Sequence, residues 1–164
     1  MQKITPFLWF DNQAEEAVRF YTSIFKNSKV GKILRYGEEA AKVSHSDQPA
    51  GSVLTIEFEI EDQKFTALNG GPAFKFNESI SFVVKCDTQK EVDYFWEKLT
   101  AGGGQESQCG WLKDKFGVSW QVVPTVLIEM LGDKDSEKSE RVMKAMLQMD
   151  KLDIKKLKVA YAGR

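Results

Sequence analysis

The sequence predicts an α+β protein built from two strand–helix–three-strand units and closed by C-terminal helices. Three observations carry this. A strand-like run leading into a capped amphipathic helix occurs twice, with Asn12 and Thr88 at the helix starts, 76 positions apart (88 − 12). Each of these is followed by strands of alternating polarity, at 53–60 and at 118–123. Beyond Pro124 the period-two pattern gives way to helical spacing.

Residues 4–10 are aromatic and apolar and suit a strand, with Pro6 tolerated at an edge or start. Asn12 followed by Glu15 is a capping-box arrangement with Asn as the cap. Ala14, Val18, Tyr21 and Phe25 then recur at helical spacing, which predicts a helix over 12–25. A second strand is expected at 30–36. Residues 37–52 are polar, include Pro49 and Gly51, and read as a mobile loop carrying His45, the only histidine, in a solvated setting.

In 53–60, Leu54, Ile56, Phe58 and Ile60 share one face, while Thr55, Glu57 and Glu59 share the other, which reads as solvated. Glu61, Asp62 and Gln63 turn the chain, and 64–69 returns as the hairpin partner. Gly70, Gly71 and Pro72 break the pattern. Phe74 and Phe76 follow in a loop, where two exposed aromatics either cover a core edge or form the lip of a ligand site.

Residues 80–86 open the second unit. Thr88 with Glu91 is a second capping box, and Val92, Phe95, Trp96 and Leu99 give a helix its apolar face. Gly102, Gly103 and Gly104 follow a helix rather than a strand, so they stop it and do not form a nucleotide-binding loop. Residues 108–112 are expected to pair with 118–123 across the turn Lys113, Asp114, Lys115, Phe116, Gly117. In the final strand Val118, Trp120 and Val122 share a bulky face that wants a helix. Ser119, Gln121 and Val123 share the other, where a lone glutamine marks a possible pocket. Pro124 is expected to end the pairing, having no N–H to donate. Residues 126–131, 139–149 and 153–161 then carry apolar residues at short-helix or helical spacing. Lys155, Lys156 and Lys158 form the solvated face of the last helix.

These elements fit one domain over 1–164, with a first module at 1–72, a second at 73–125 and a helical extension at 126–164. Overlaying the modules places Asn69 on Gln121 (121 − 69 = 52) and Pro72 on Pro124, the longer first loop accounting for most of the changed offset.

Composition narrows the function classes. With 42% hydrophobic and 12% aromatic residues, the chain can bury a proper core. Basic and acidic residues nearly cancel, 23 against 24, which gives no reason to expect nucleic acid or an anionic membrane as partner. No apolar run reaches the roughly 20 residues of a membrane span. The N-terminal segment does not read as a signal peptide, so a cytoplasmic protein with Cys86 and Cys109 as reduced thiols is expected.

The stretches ITPFLWF, AEEAVRFYTSIF, FTALNGGPAFKFNESISFVV, EVDYFWEKL and CGWLKDKFGVSWQVVP, together with the tail QMDKLDIKKLKVAY, resemble the PhnB-like branch of the vicinal oxygen chelate superfamily. The branch also goes by the name 3-demethylubiquinone-9 3-methyltransferase domain. The superfamily includes glyoxalase I, extradiol dioxygenases and bleomycin-resistance proteins. The resemblance implies the glyoxalase/bleomycin resistance fold, with paired βαβββ modules whose cupped mixed sheets enclose a site, and commonly a homodimer. In the superfamily's metal enzymes a divalent cation is held from the first and last strands of each module, commonly by His, Gln or Glu. Those places fall here on Thr5 (or its neighbour Pro6, one position along), Asn69, Ser81 and Gln121, all neutral and none a histidine.

Four neutral oxygens offer no charge against the cost of dehydrating a cation, so no metal and no cofactor is expected. The methyl transfer in the branch's name finds no support either, because no strand, Gly-rich loop and helix follow one another as that chemistry requires. The resulting expectation is a small-molecule-binding protein. Its ligand would lie in the cup against Thr5, Asn69, Ser81, Gln121, Phe74, Phe76 and Trp111. The alternatives are a metal-dependent lyase or dioxygenase, the nominal methyltransferase, and a non-catalytic homodimeric scaffold.

Overall fold

The computed structural model describes residues 2–164. The chain divides into two compact units, one ending at Phe76 and the other beginning at Asn77.

The first unit runs β1 (Phe7–Phe10), α1 (Ala14–Ile24), β2 (Ser28–Arg35), α2 (Glu38–Val43), β3 (Val53–Ile60) and β4 (Gln63–Asn69). Its sheet has the order β1-β4-β3-β2, with β1 parallel to β4 and the other pairs antiparallel. The alternation in β3 works as the sequence predicts. Ile56, Phe58 and Ile60 are buried beside Phe65 and Ala67 of β4, and α1 packs on that sheet with Ala14, Ala17, Val18, Tyr21 and Ile24 turned inward. Tyr21 stacks on Phe58, which stacks on Phe65. Together these side chains form the first core.

The start of α1 differs from expectation. The helix begins at Ala14 with Gln13 as the flanking residue, and no side chain of that segment caps it. The cap comes from across the sheet, where Asn69 Oδ1 accepts the Ala14 N–H at 2.8 Å. A buried asparagine 55 positions away does what Asn12 was expected to do, which no local pattern could announce. The polar stretch after β2 is also more ordered than its composition implies. It contains α2, and its ends are tied by Tyr36 N–H to Ser52 O and Gly51 N–H to Tyr36 O. His45 is exposed there, as read.

The second unit runs β5 (Ser81–Cys86), α3 (Gln89–Thr100), β6 (Gln105–Glu106), β7 (Trp111–Lys113), β8 (Ser119–Pro124), α4 (Thr125–Leu131), α5 (Ser136–Met146) and α6 (Ile154–Ala162). The sheet order is β5-β8-β7-β6, with β5 parallel to β8, so it repeats the topology of the first. Here the expected capping box is present. Thr88 Oγ1 accepts from Glu91 N–H and Glu91 reaches back to the Thr88 N–H. Val92, Trp96 and Leu99 of α3 are buried on the sheet face formed by Val84, Cys86, Leu112, Trp120 and Val122.

Two details correct the sequence reading. The fourth strand that each unit requires is formed here by Gln105 and Glu106, a place the sequence does not mark, because two polar residues carry no periodicity. Pairing also continues through Pro124, which lies opposite Cys86 at the end of a parallel ladder and leads straight into α4. The C-terminal helices bury their own cluster of Leu127, Met130, Val142, Leu152 and Leu157.

Both units confirm the duplication but shift its register. Phe10 pairs with Asn69 in the first sheet and Cys86 with Pro124 in the second, so β4 and β8 correspond with an offset of 55 (124 − 69), not 52. The counterpart of Gln121 is therefore Thr66, which pairs with Phe7 as Gln121 pairs with Val83.

Candidate functional site

The face of the second sheet turned away from α3 carries two rows of side chains, fixed by the strand register. Ser81, Ser119, Lys113 and Gln105 lie side by side across β5, β8, β7 and β6. One step along the strands, Val83, Gln121 and Trp111 form the second row. This is the face on which the sequence placed the lone glutamine, and it remains open: Val83 is 50% exposed, and Gln121 and Trp111 are half-buried.

Ser81 and Gln121 are brought together, as their assignment to one site requires. Gln121 Nε2 donates to Ser81 Oγ at 2.9 Å. Among the described residues, Gln121 Oε1 takes no hydrogen bond, so its acceptor capacity is unused. A hydroxyl can also donate, so rotating the amide by half a turn would keep the pair bonded and turn the NH₂ outward. The pair can thus present either polarity to a ligand.

The first row contains two residues that the sequence reading did not single out. Ser119 is 1% exposed, and its Oγ has no hydrogen-bond partner. Such buried orphans are rare. Beside it, Lys113 pairs with Glu78 from the turn that leads into β5. That contact holds the Glu78 carboxyl below the usual carboxylate range. Ser119, Lys113, Glu78, Gln105 and Trp111 line a cavity of about 430 Å³.

Two local structures hold this face in place. Asp114 is buried and organises the turn between β7 and β8: its Oδ1 accepts from Phe116 N–H at 2.9 Å and Val118 N–H at 3.1 Å, and its Oδ2 from Trp120 Nε1 at 2.9 Å. Gly117, at φ +87°, completes the turn. The other support lies before β7. Cys109 and Gly110 donate their N–H groups to Met149 O and Asp150 O, each at 2.8 Å, and Val122 N–H donates to Gly110 O. Gly110 sits at φ +83°, and a Cβ there would come within 2.8 Å of Val122 O and 3.0 Å of Leu152. The loop that delivers Trp111 is thus fastened to the segment between α5 and α6. Gln89 of α3 fastens the same segment by bonding Leu152 O and Ile154 N–H.

In the first unit the corresponding open face carries Phe7, Thr66, Glu57 and, farther along, Trp9, Leu68 and Thr55. Thr5, Thr66 and Glu57 line a cavity of about 410 Å³ with Lys29, Glu59 and Lys64. Glu59 is paired with Lys29 at 3.3 Å, while Glu57 is exposed.

Asn69 is not on this face. It is buried on the α1 side, where Oδ1 caps α1, Nδ2 donates to Val53 O at 3.1 Å, and its carbonyl accepts the Tyr36 hydroxyl at 2.5 Å. Phe74 and Phe76 split between the two sides: Phe74 lies edge-on to Trp9 and is 65% exposed, whereas Phe76 lies edge-on to the buried Phe10.

The comparisons with known proteins can be set beside this geometry. Residues 2–123 match the family model described as 3-demethylubiquinone-9 3-methyltransferase. The chain belongs to that family. Among solved structures it is similar to the PhnB protein from Bacillus cereus, which carries the same family name. The two are 34% identical over 76% of this chain and 100% of that one, with a TM-score of 0.64. Protein PA1353 from Pseudomonas aeruginosa is 19% identical over 76% of this chain and 98% of its own, with a TM-score of 0.57. The fosfomycin resistance protein FosX from Mesorhizobium loti is 16% identical over 81% of this chain and 100% of its own, with a TM-score of 0.54. The last two show the fold alone, which is the glyoxalase/bleomycin resistance fold that the sequence resemblance implied. None of the curated proteins compared matches the sequence.

The fold family raises the question of a metal. With the corrected register, the first- and last-strand positions are Thr5, Thr66, Ser81 and Gln121, again all neutral. Among the described residues no three His, Cys, Asp or Glu side chains cluster as metal ligands. Hydroxyl and amide oxygens, with Glu57 and the Lys29-paired Glu59 present on the first unit's face alone, do not fit a resident divalent cation.

Proposed function

We propose that this protein binds a small organic molecule on the open face of its second sheet and does so without a resident catalytic metal. The observation that carries this reading is the Ser81–Gln121 pair, which leaves one amide group facing a half-open surface beside Trp111. A few polar groups set among apolar and aromatic side chains is the usual make-up of an organic-ligand site. In the first unit, Thr5 and Thr66 with Phe74 at the margin offer a weaker version of the same chemistry. Asn69, already engaged inside the core, supports this face from behind.

The test is a thermal-shift screen of small aromatic compounds, followed by calorimetry on Gln121→Ala. Loss of one hydrogen bond to the ligand should weaken binding by about tenfold, with the melting temperature of the free protein little changed. Unchanged binding in that variant would move the site away from this face. Metal analysis after incubation with Zn²⁺, Ni²⁺, Mn²⁺ and Fe²⁺ tests the second half of the proposal, and a stoichiometric metal would overturn it.

An acid–base enzyme is the second reading, favoured by one observation: exposed Glu57 shares the open face of the first unit with Thr66. Assembly as a homodimer is also proposed. Its support is the apolar edge strand β2, where Val30, Ile33 and Leu34 are all exposed. Sedimentation velocity decides it. No helix among the described residues is long and apolar enough to cross a membrane. The two free thiols suit a reducing compartment, and we propose the cytoplasm.

A further inference from the structure

We infer that the row Ser81, Ser119 and Lys113 holds an oxyanion, and that the ligand of the second sheet is an aromatic carboxylate whose ring lies against Trp111. This rests on the proposal that the face is an organic-ligand site, and adds the charge and shape of what it takes.

Three independent features point the same way. Ser119 Oγ is buried at the cavity wall with its hydrogen-bonding capacity unused, a state that is unfavourable in a filled interior. Its neighbours in the row are a hydroxyl on one side and an ammonium on the other. A planar anion with two oxygens matches that set, since two hydroxyls and an ammonium all can donate and none carries negative charge.

The third feature is Glu78. Its side chain already places a carboxylate on Lys113 in the lining of the same cavity, so the protein's own glutamate shows what the lysine pairs with. Glu78 is 61% exposed on an irregular turn. Exposed ion pairs are weak because water screens them, so a ligand carboxylate that also reaches Ser119 can displace it. Glu78 then acts as a competitor built into the chain, leaving Lys113 paired while the cavity is empty. Trp111, one row away, supplies the flat apolar surface that selects an aryl group over a short aliphatic acid.

The test compares matched probes: a panel of one- and two-ring aryl carboxylates and the corresponding carboxamides, titrated into the full-length protein by calorimetry. Carboxylates should bind the wild type about tenfold more tightly than their amides, with the preference falling as salt rises. Lys113→Met should abolish the preference and Lys113→Arg should retain it. Ser119→Ala should weaken carboxylates several-fold, on the scale of one hydrogen bond. Glu78→Gln should strengthen them by removing the competitor, an outcome that a purely structural role for the pair does not produce.

Equal binding of acids and amides in the wild type and in every variant would overturn the oxyanion assignment and leave the organic-ligand site standing. No binding of either series to the wild type or to Glu78→Gln would overturn both. If Lys113→Met fails to fold by circular dichroism, Glu78→Gln and the salt dependence still decide.

Discussion

At the scale of single residues, the side chains that matter most for stability are polar ones inside the core. The Asp114 side chain accepts from the Phe116 and Val118 N–H groups and from Trp120 Nε1. Replacing it with alanine leaves these donors unmatched, two of them buried, and an expected loss of about 3 kcal/mol follows from the cost of such groups. Urea denaturation measures it, and a loss under 1 kcal/mol would show that the turn holds without it. Asn69→Ala should cost about 1–3 kcal/mol through the lost cap and the lost bond to Val53, without changing ligand affinity. Weakened binding at unchanged stability would put Asn69 back in the site.

Cys86 makes a different prediction. It is fully buried, and burial, then Glu91 and Asp87, push its thiol up to about 12. The raised value means that the folded state resists ionisation. This contribution is whole below the unfolded thiol's value near 9 and is lost as pH climbs from there through 12. Cys86→Ala should therefore flatten the alkaline limb of the stability curve. In native protein at pH 8 a thiol reagent should titrate Cys109 alone, and both thiols in denaturant.

At the scale of elements, legibility followed the range of the interaction. The Thr88 capping box lies within four residues and could be read directly, as could the alternation of β3 and the turn ending at Gly117. Asn12 looked equally persuasive as a cap, yet the structure gives that task to a residue 55 positions away. The same limit explains the misplaced counterpart of Gln121: matching Pro72 to Pro124 was a local guess, and only strand register reveals Thr66. Ser119 was on the predicted open face but unremarkable, because a serine's lack of a partner is not written in its neighbours. Glu57 was read as solvated; exposure was right, but its face is the one that corresponds to the proposed site.

The segment between α5 and α6 adds a further expectation at this scale. Gln89 bonds it on one side and the Cys109–Gly110 backbone on the other. Gln89→Ala leaves Leu152 O and the Ile154 N–H without their partner, so a loss of about 1–2 kcal/mol is expected. The fluorescence of the tryptophans should also change with Trp111's surroundings. A stability loss with no spectral change would confine the effect to the helices.

At the scale of the whole molecule, two units share one topology but carry different chemistry on their open faces. The first presents threonines among two carboxylates and two lysines; the second presents serines, a glutamine and a tryptophan beside the Lys113–Glu78 pair. Family membership and fold do not decide between a binding protein and an enzyme, because the same fold hosts both. The difference between the faces does bear on it. Gln121→Ala and Glu57→Gln, assayed in parallel for ligand affinity, should affect binding at the second face and leave it unchanged at the first.

The parallel pairing of β1 with β4 and of β5 with β8 also dictates an order of assembly. In each unit the opening strand cannot find its partner until the closing strand exists. Phe7 waits for Thr66, 59 positions on (66 − 7), whereas Val83 waits for Gln121, only 38 positions on (121 − 83). The longer loop costs merely about 0.4 kcal/mol more to close, but the search is longer and its contacts less local. During synthesis β1 emerges first and stays single for some sixty residues, offering Phe7 and Leu8 to any passing strand edge. The β3–β4 hairpin forms without it, so the first sheet nucleates from its middle and is finished by the segment made earliest.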